Sequence, residues 1–466
     1  MVTATTGRKS RRQALGLWMN GEFVGTWRMD AGSEDILEYH ASWQGSPRGR
    51  PLSLSLPFTP GANLHRGDVV RAYFENLLPD SQDIRARAAR RFRARSTQAF
   101  DLLAEIGRDC VGALQILPDG MAPGDVRTLD ASPLDEAQVA AILRGTVAPP
   151  AMAGAAPQDD DDFRISIAGA QEKTALSWID GRWCLPHGST PTTHILKLPM
   201  GLVGNMKLDL SHSIENEWLC SRVLAAYGLP VAECEPLQFE DMKVLSVRRF
   251  DRAWLDGPSG SWLARLPQED FCQATGTPAA LKYESDGGPG IERVMGLLAT
   301  SESPQRDRRV FFLAQLLFWM LRAPDGHAKN FSLFIRPGGR YQLTPLYDVI
   351  SAYPILGHGP NQISPFKVKL AMAVRGKNAH WKMNDIQRRH WVAVGARHGV
   401  VTENGQPVDK LLDDLVARTP EVIHQVRRKL PEGYPLNLAD RILEGLAQTA
   451  ARLQAQKNPS TKVAVG

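Results

Sequence analysis

The sequence predicts an α+β protein: a small N-terminal β-rich subdomain, then two lobes, the first of strands and the second mainly helical. Three observations carry this prediction. Short alternating runs broken by turn dipeptides such as Asn20-Gly21 and Asp180-Gly181 fill residues 1–120 and return in 163–250. From Pro267 onward, apolar residues recur at helical spacing in one segment after another. Between the two strand-rich stretches the composition shifts to Ala, Pro and Gly, as in a linker.

At 466 residues the chain exceeds one simple core and suggests roughly two to four compact units. Hydrophobic residues make up 43% and charged ones 23%, which places it among folded globular proteins. Lys and Arg number 55 against 50 Asp and Glu, and a net charge of +5 is too mild at this size to diagnose a nucleic-acid binder. The five cysteines, at 110, 184, 220, 234 and 272, are odd in number and form no Cys-x-x-Cys pair. They argue against a disulfide scaffold or zinc site and fit a reducing cytoplasm. Arg8 to Arg12 is followed by polar residues rather than an apolar signal core, and no run approaches ~20 apolar residues, so no membrane association is expected.

Leu15 to Met19, Glu22 to Met29 and Leu37 to Tyr39 read as a small antiparallel sheet. Ser81 to Phe92 reads as a helix, with Ile84, Ala88 and Phe92 on one side and Arg85, Arg87, Arg90, Arg91 and Arg93 on the others. That basic face is either a surface for an anionic partner or simply solvated. Phe100 to Ile106 reads as a further helix and Ala113 to Leu117 as a strand. A helix and flexible linker occupy 121–162, the linker running from Gly145 to Asp162 and ending in four aspartates.

Residues 163–250 alternate as strands. Arg164 to Ala168, Thr174 to Ile179, Trp183 to Leu185, Thr193 to Leu198, Glu233 to Phe239 and Lys243 to Arg248 are the candidates. Lys197 lies between Leu196 and Leu198, and a lysine turned inward from a strand needs an anionic partner such as phosphate. Ser211 to Tyr227 is helical by pattern and offers Glu215 and Glu217, either of which can pair with Lys197 as a helix glutamate does in kinases. Phe250-Asp251-Arg252 then marks a hinge to the second lobe.

Residues 251–457 supply helices at Val294 to Leu298, Val310 to Leu321, Ile386 to Val394, Val408 to Ala417, Val422 to Lys429 and Leu438 to Leu453. Residues 458–466 read as a short disordered tail. Phe311 to Leu321 is apolar nearly all round, as a helix inside a lobe is, and it leads to Asp325-Gly326-His327-Ala328-Lys329-Asn330. Kinase catalytic loops place a base Asp five residues before a magnesium-binding Asn, with a second metal-binding Asp later, and Asp325, Asn330 and Asp348 follow that order. Phe331 to Ile335 and Tyr341 to Leu343 flank Pro337-Gly338-Gly339 as a hairpin that returns Asp348 to Asn330. The predicted architecture is therefore a two-lobed protein-kinase-like fold with a mainly helical C-terminal lobe.

Several blocks in order resemble the HipA family, the kinase component of bacterial toxin-antitoxin pairs. They are Ser-Ile-Ala-Gly-Ala-Gln-Glu-Lys-Thr from 166, His-Ile-Leu-Lys-Leu-Pro from 194, Arg-Phe-Asp-Arg from 249, Lys-Tyr-Glu-Ser-Asp-Gly-Gly from 282 and Asp-Gly-His-Ala-Lys-Asn-Phe-Ser from 325. Asn76-Leu77-Leu78-Pro79 and Lys377-Asn378-Ala379-His380 extend the likeness over most of the chain. The resemblance implies a serine/threonine protein kinase using ATP and Mg2+ and acting on a translation component such as an aminoacyl-tRNA synthetase. Its implied partners are a small helix-turn-helix antitoxin, HipB-like, and operator DNA reached through that complex.

Carried over by motif, Asp325 is the base, Asn330 and Asp348 hold magnesium, and Lys197 contacts phosphate. Ala168, Gly169, Ala170, Gln171, Glu172 and Lys173 form the loop over the nucleotide; Arg248, Arg249 and Phe250 form the hinge. His327, Ala328, Lys329 and Tyr347 border the nucleotide. Ser166 matches the family's autophosphorylation site. Where the family usually carries Glu before Arg-Phe-Asp-Arg, this chain has Arg248. Lys377, Lys382, Arg388 and Arg389, with Trp381 and Trp391, form a basic stretch that either meets DNA phosphates or is a solvated face. Two other functions compete: a catalytically dead kinase fold acting as a corepressor, which the intact Asp325, Asn330, Asp348 and Lys197 oppose, and a small-molecule phosphotransferase.

Overall fold

The computed structural model describes residues 13–30, 32–147, 169, 171–257 and 260–457. Ser166, Ala168, Ala170, the expected strand from Arg164, residues 148–162 of the expected linker and the tail after residue 457 lie outside them.

The first unit is an antiparallel sheet in which Gln13–Met19 lies between Glu22–Met29 and Leu114–Pro118, with Asp35–Tyr39 and Leu64–Arg66 beyond. Asn20 at φ 47° and Gly21 at φ 82° make its first turn, the left-handed backbone that Asn-Gly favours. Helices Asp68–Glu75 and Ala99–Ile106 cover the sheet, and Trp27 stacks on Phe74 at 3.7 Å between ring centres. The basic helix, Gln82–Arg91, departs from expectation in one residue. Arg85 is buried and donates to Pro79 O (2.6 Å), so it braces the preceding turn instead of joining an exposed basic face.

The second unit is an antiparallel sheet of six strands among the described residues. Their order is Cys234–Phe239, Met242–Arg248, His194–Lys197, Lys173–Ile179, Arg182–Pro186 and Ala131–Pro133. Residues of the stretch read as helix and linker complete this sheet. Ala131–Pro133 adds its edge strand, and Val139, Ala140 and Leu143 of helix Glu136–Val147 pack on Leu176, Leu196 and Val244.

The third unit is mainly helical around Pro304–Met320, whose Phe311, Leu316, Leu317 and Met320 are fully buried. Two expected helices prove to be one, Val408–Arg427, running through Pro420. A proline inside a helix costs about 3 kcal/mol. Burying Leu412, Leu415, Val422 and Val426 returns about 1.5–3 kcal/mol each, and the continuous helix wins. A hairpin, Lys369–Arg375 and Ala379–Lys382, was not expected; its buried Leu370 to Val374 show no alternation to signal a strand. The expected basic stretch does not form one surface. Arg388 turns inward to Asp409 (2.6 Å) and Asp413 (2.8 Å), and Trp391 is fully buried, while Lys377, Lys382 and Arg389 stay exposed.

Candidate active site

Helix Pro304–Met320 ends at Leu321, and Arg322 at φ 51° reverses the chain toward Asp325. Gly326 follows because a Cβ there would collide with the Phe318 ring. The loop then closes on itself: the His327 N–H donates to Asp325 O (2.8 Å), and the Asn330 side-chain N–H donates to the same oxygen (2.7 Å). Asp325 and Asn330 are thus locked together, with the Asp325 side chain about half exposed. The Tyr283 hydroxyl donates to the Asp325 carboxylate.

Strands Ser332–Ile335 and Tyr341–Leu343 pair antiparallel, as the hairpin reading requires, and bring Asp348 back to the loop. Asp348 sits at φ 61°, a left-handed conformation uncommon outside glycine and tolerated best by Asp and Asn. It is held there by the flanking chain: the Tyr347 hydroxyl donates to Lys329 O (3.0 Å), and Ser351 N and O bond both ends of the Asn216 amide (2.8 Å each). The Asn216 bond also fixes helix Ser213–Ala226 against Asp348.

Lys197 joins these elements. Its ammonium lies 2.7 Å from Glu217 and 2.7 Å from Asp348, with the Lys and Glu side chains almost wholly buried. Glu217 therefore is the helix partner, and Glu215 instead faces Lys243. Burial alone pulls the Lys197 ammonium down, but Asp348 and Glu217 outweigh it and hold it above its ordinary range. Burial likewise opposes charge on Asp348, yet Lys197 and Lys173 hold its carboxyl well below the usual carboxylate range. Lys173 lies directly across the strand pair from Lys197, and burial with that neighbouring charge lowers it to about 8.

One cleft takes in Gly169, Gln171, Lys173, Lys197, Arg248, Arg249, Phe250, His327, Lys329, Asn330, Tyr347 and Asp348 of the expected residues, together with Asp325. Glu172 turns to Arg87, and Ala328 is buried in the loop. Arg249 reaches the cleft without its charge. Its guanidinium is buried against Asp109 (3.2 Å) and Asp251 (2.8 Å), a structural role that its position at the hinge did not signal. Arg248 points outward to Glu233 (2.9 Å). His327 is buried and lowered by that burial, so its ring is neutral beside Asp325.

The cleft also contains residues not singled out from sequence: Asn76, Asp80, Asp270, Gln273 and Lys282. Asn76, Lys282 and, in Leu-Pro-Gln-Glu-Asp-Phe-Cys-Gln from 266, Asp270 and Gln273 belong to blocks that resemble the family, but no local pattern assigned them chemistry.

The donors suit a hard cation. Because Asn330 gives its N–H to Asp325 O, its side-chain carbonyl oxygen is left to accept, and Asp348 adds a carboxylate. An oxygen-only set of few protein ligands, completed by phosphate and water, is what magnesium takes.

Two lobes about a cleft that holds this loop and a strand lysine, braced from behind by its helix glutamate, define the class: a kinase-like fold. Residues 165–423 match the family model for the HipA-like C-terminal domain and residues 15–117 that for the HipA N-terminal domain. The chain belongs to the HipA family. The protein Y4mE of Sinorhizobium fredii is 33% identical over 429 residues, covering 91% of this chain and 94% of that one. The serine/threonine-protein kinase toxin HipA of Shewanella oneidensis is 26% identical over 365 residues, 75% and 76% of the two chains. A Shewanella oneidensis MR-1 structure of HipA with HipB and operator DNA shares the fold, with a TM-score of 0.73 at 24% identity over 95% of this chain and 97% of that one. Among the described residues no helix is long and apolar enough to cross a membrane.

Proposed function

We propose that this protein is an ATP- and Mg2+-dependent serine/threonine protein kinase, the toxin of a cytoplasmic toxin-antitoxin pair. The observation that carries the reading is the single Lys197 ammonium bridging Glu217 and Asp348 in the cleft that also holds Asp325 and Asn330. In this reading Lys197 binds phosphate oxygens, and Glu217 keeps its ammonium aimed into the cleft. Asp325, the most open carboxylate of the group, accepts the proton of the incoming protein hydroxyl. Asn330 and Asp348 hold magnesium, which when bound neutralises charge on the phosphates. Neutral His327 and the loop hydrogen bonds keep Asp325 oriented without adding positive charge beside it.

The substrate class is a protein hydroxyl in the translation apparatus, and the partners are a HipB-like helix-turn-helix antitoxin and, through it, operator DNA. Family membership supports the substrate class, and the relative solved with HipB and operator DNA supports the partners. Ser166 is the proposed self-phosphorylation site. A phosphate there would add about −1.5 to −2 charge to the segment read as the loop over the nucleotide, disfavour its closing and shut the kinase down.

The test is transfer from γ-labelled ATP with magnesium. Wild-type chain labels itself or a protein from a lysate, mass spectrometry places phosphate on Ser166, and Asp325→Asn abolishes labelling with the fold intact. Labelling that survives Asp325→Asn defeats the catalytic assignment, and an unmodified Ser166 peptide removes the self-inhibition.

A further inference from the structure

The loop carrying Asp325 is gripped by a residue from outside the kinase-like lobes. Asp80, at the end of the Asn76-Leu77-Leu78-Pro79 segment of the N-terminal domain, places its carboxylate 2.7 Å from Lys282 and 3.1 Å from Lys329. All three side chains are largely buried, at 15%, 16% and 3% exposure. Lys329 lies inside the Asp325–Asn330 loop, and its other contacts are Asn76 O and Asn76 Oδ1, each at 3.1 Å. Two hydrogen bonds to Asn76 and the ion pair with Asp80 thus surround the ammonium, and all three contacts come from the N-terminal domain. Lys282 is joined by the backbone to Tyr283, whose hydroxyl donates to Asp325, and its own carbonyl accepts from Ala328 N (3.3 Å).

Asp80 itself is held in place. Its N–H donates to Gly169 O (3.0 Å), and Arg85 clamps the carbonyl of Pro79 (2.6 Å). A buried carboxylate so fixed, with two lysines that both reach the catalytic loop, is more than an exposed interdomain ion pair, which is worth little.

We infer that Asp80 is a positioning residue: the N-terminal domain uses it to hold Lys282 and Lys329, and through them the loop and Tyr283 that orient Asp325. The charge is the active property. The remaining carboxylates of the cleft are Asp251, already paired with Arg249 and Arg252, and Asp270, Asp325 and Asp348. Without Asp80, two buried ammonium groups would be left to repel each other and to turn to these, and a lysine seated on Asp325 takes up the oxygen that must accept the substrate proton. This goes beyond the kinase reading but rests on it, since the role has meaning only if Asp325 is the base.

The experiment is steady-state ATP hydrolysis and self-labelling by the full chain with magnesium. Asp80→Asn, which keeps the shape and removes the charge, should lower kcat about tenfold to a hundredfold, the scale of a small misplacement of a reacting group, while the KM for ATP stays within about twofold. Adding Lys282→Gln to Asp80→Asn removes the surplus cation and should restore most of the lost kcat, a rescue that a merely structural contact does not give. Unchanged kcat in Asp80→Asn, a loss confined to the KM for ATP, or a double variant as slow as the single one overturns the inference. Should Asp80→Asn fail to fold, the double variant decides: kcat near wild type supports the role, and kcat as low as that of Asp325→Asn refutes it. A wild-type chain that turns over no ATP refutes the kinase reading and this role with it, whereas an active wild type with an equally active Asp80→Asn refutes this role alone.

Discussion

Glu217 and Asp348 hold the same ammonium, that of Lys197, each at 2.7 Å, one from a helix of the strand-rich lobe and one from the loop after the hairpin of the helical lobe. A single cation thus ties the two lobes together. Its charge is secure, because the two carboxylates outweigh the cost of burying it. Lys197→Met leaves the Glu217 and Asp348 carboxylates without their shared cation and removes the proposed phosphate contact, so labelling from ATP should fall on the order of a hundredfold or more. Glu217→Gln keeps Lys197 but loosens its aim, and the loss should be smaller and felt in kcat as well as in ATP affinity. Equal activity in wild type and Lys197→Met, measured by transfer from γ-labelled ATP, would remove Lys197 from the site.

The parts of this site that were legible in sequence are local. Asp325 and Asn330 are five residues apart in one loop, the hairpin that returns Asp348 is announced by Pro337-Gly338-Gly339, and Lys197 stands out in an apolar strand. What stayed hidden depends on distant partners. Glu215 and Glu217 are two residues apart on one helix, and only the packing of that helix against Asp348, through Asn216 and Ser351, turns Glu217 inward. Arg249 looked like a nucleotide contact because it sits at the hinge, yet its charge is consumed by Asp109, 140 residues earlier. The segments read as separate helices, Val408 to Ala417 and Val422 to Lys429, form one helix because burial on both sides of Pro420 overrides its local cost.

Catalytic-loop packing gives a second prediction. Gly326 lies so close to Phe318 that any side chain must displace the ring, and Phe318 is buried on the helix that delivers the loop. Gly326→Ala should therefore cost about 1–3 kcal/mol as overpacking and shift Asp325 at the same time. A lowered melting temperature together with kcat reduced about tenfold or more is the expected result. A variant with wild-type kcat would show that the loop tolerates the shift.

A third prediction concerns pH. Glu269 is completely buried between the N-terminal domain and the helical lobe, accepts from Leu54 N (2.9 Å), and burial pushes its carboxyl up to about 8. The native state therefore binds this proton more tightly than the unfolded chain, whose Glu titrates near ~4.3. Stability from this group is fully present below ~4.3 and is lost as pH rises through about 8. Glu269→Gln keeps the acceptor for Leu54 and abolishes the titration. Its melting temperature should match the wild type near pH 5 and exceed it near pH 8. Parallel melting curves for the two proteins across that range would place the charge elsewhere.

The last prediction follows from the hinge. Asp109 of the N-terminal domain meets Arg249 (3.2 Å), Arg252 (2.9 Å) and Arg265 (2.9 Å), all almost wholly buried, and also accepts from the Thr192 hydroxyl (2.6 Å). Three guanidinium groups share two carboxylates, Asp109 and Asp251, so the cluster already carries one surplus positive charge. The Asp109 carboxyl is held far below its usual range: burial opposes the charge, and Arg252, Arg265 and Arg249 together overcome it. Asp109→Asn preserves size but keeps only one of the two acceptor oxygens, and leaves three buried cations against one anion. Breaking a buried pair in this way costs about 3–5 kcal/mol, enough to lower the melting temperature by several degrees. Because Arg249 and Arg252 flank Phe250, which lines the cleft, the same variant should also weaken ATP binding. A drop in stability with unaltered ATP affinity would show that the cluster joins the domains without shaping the hinge.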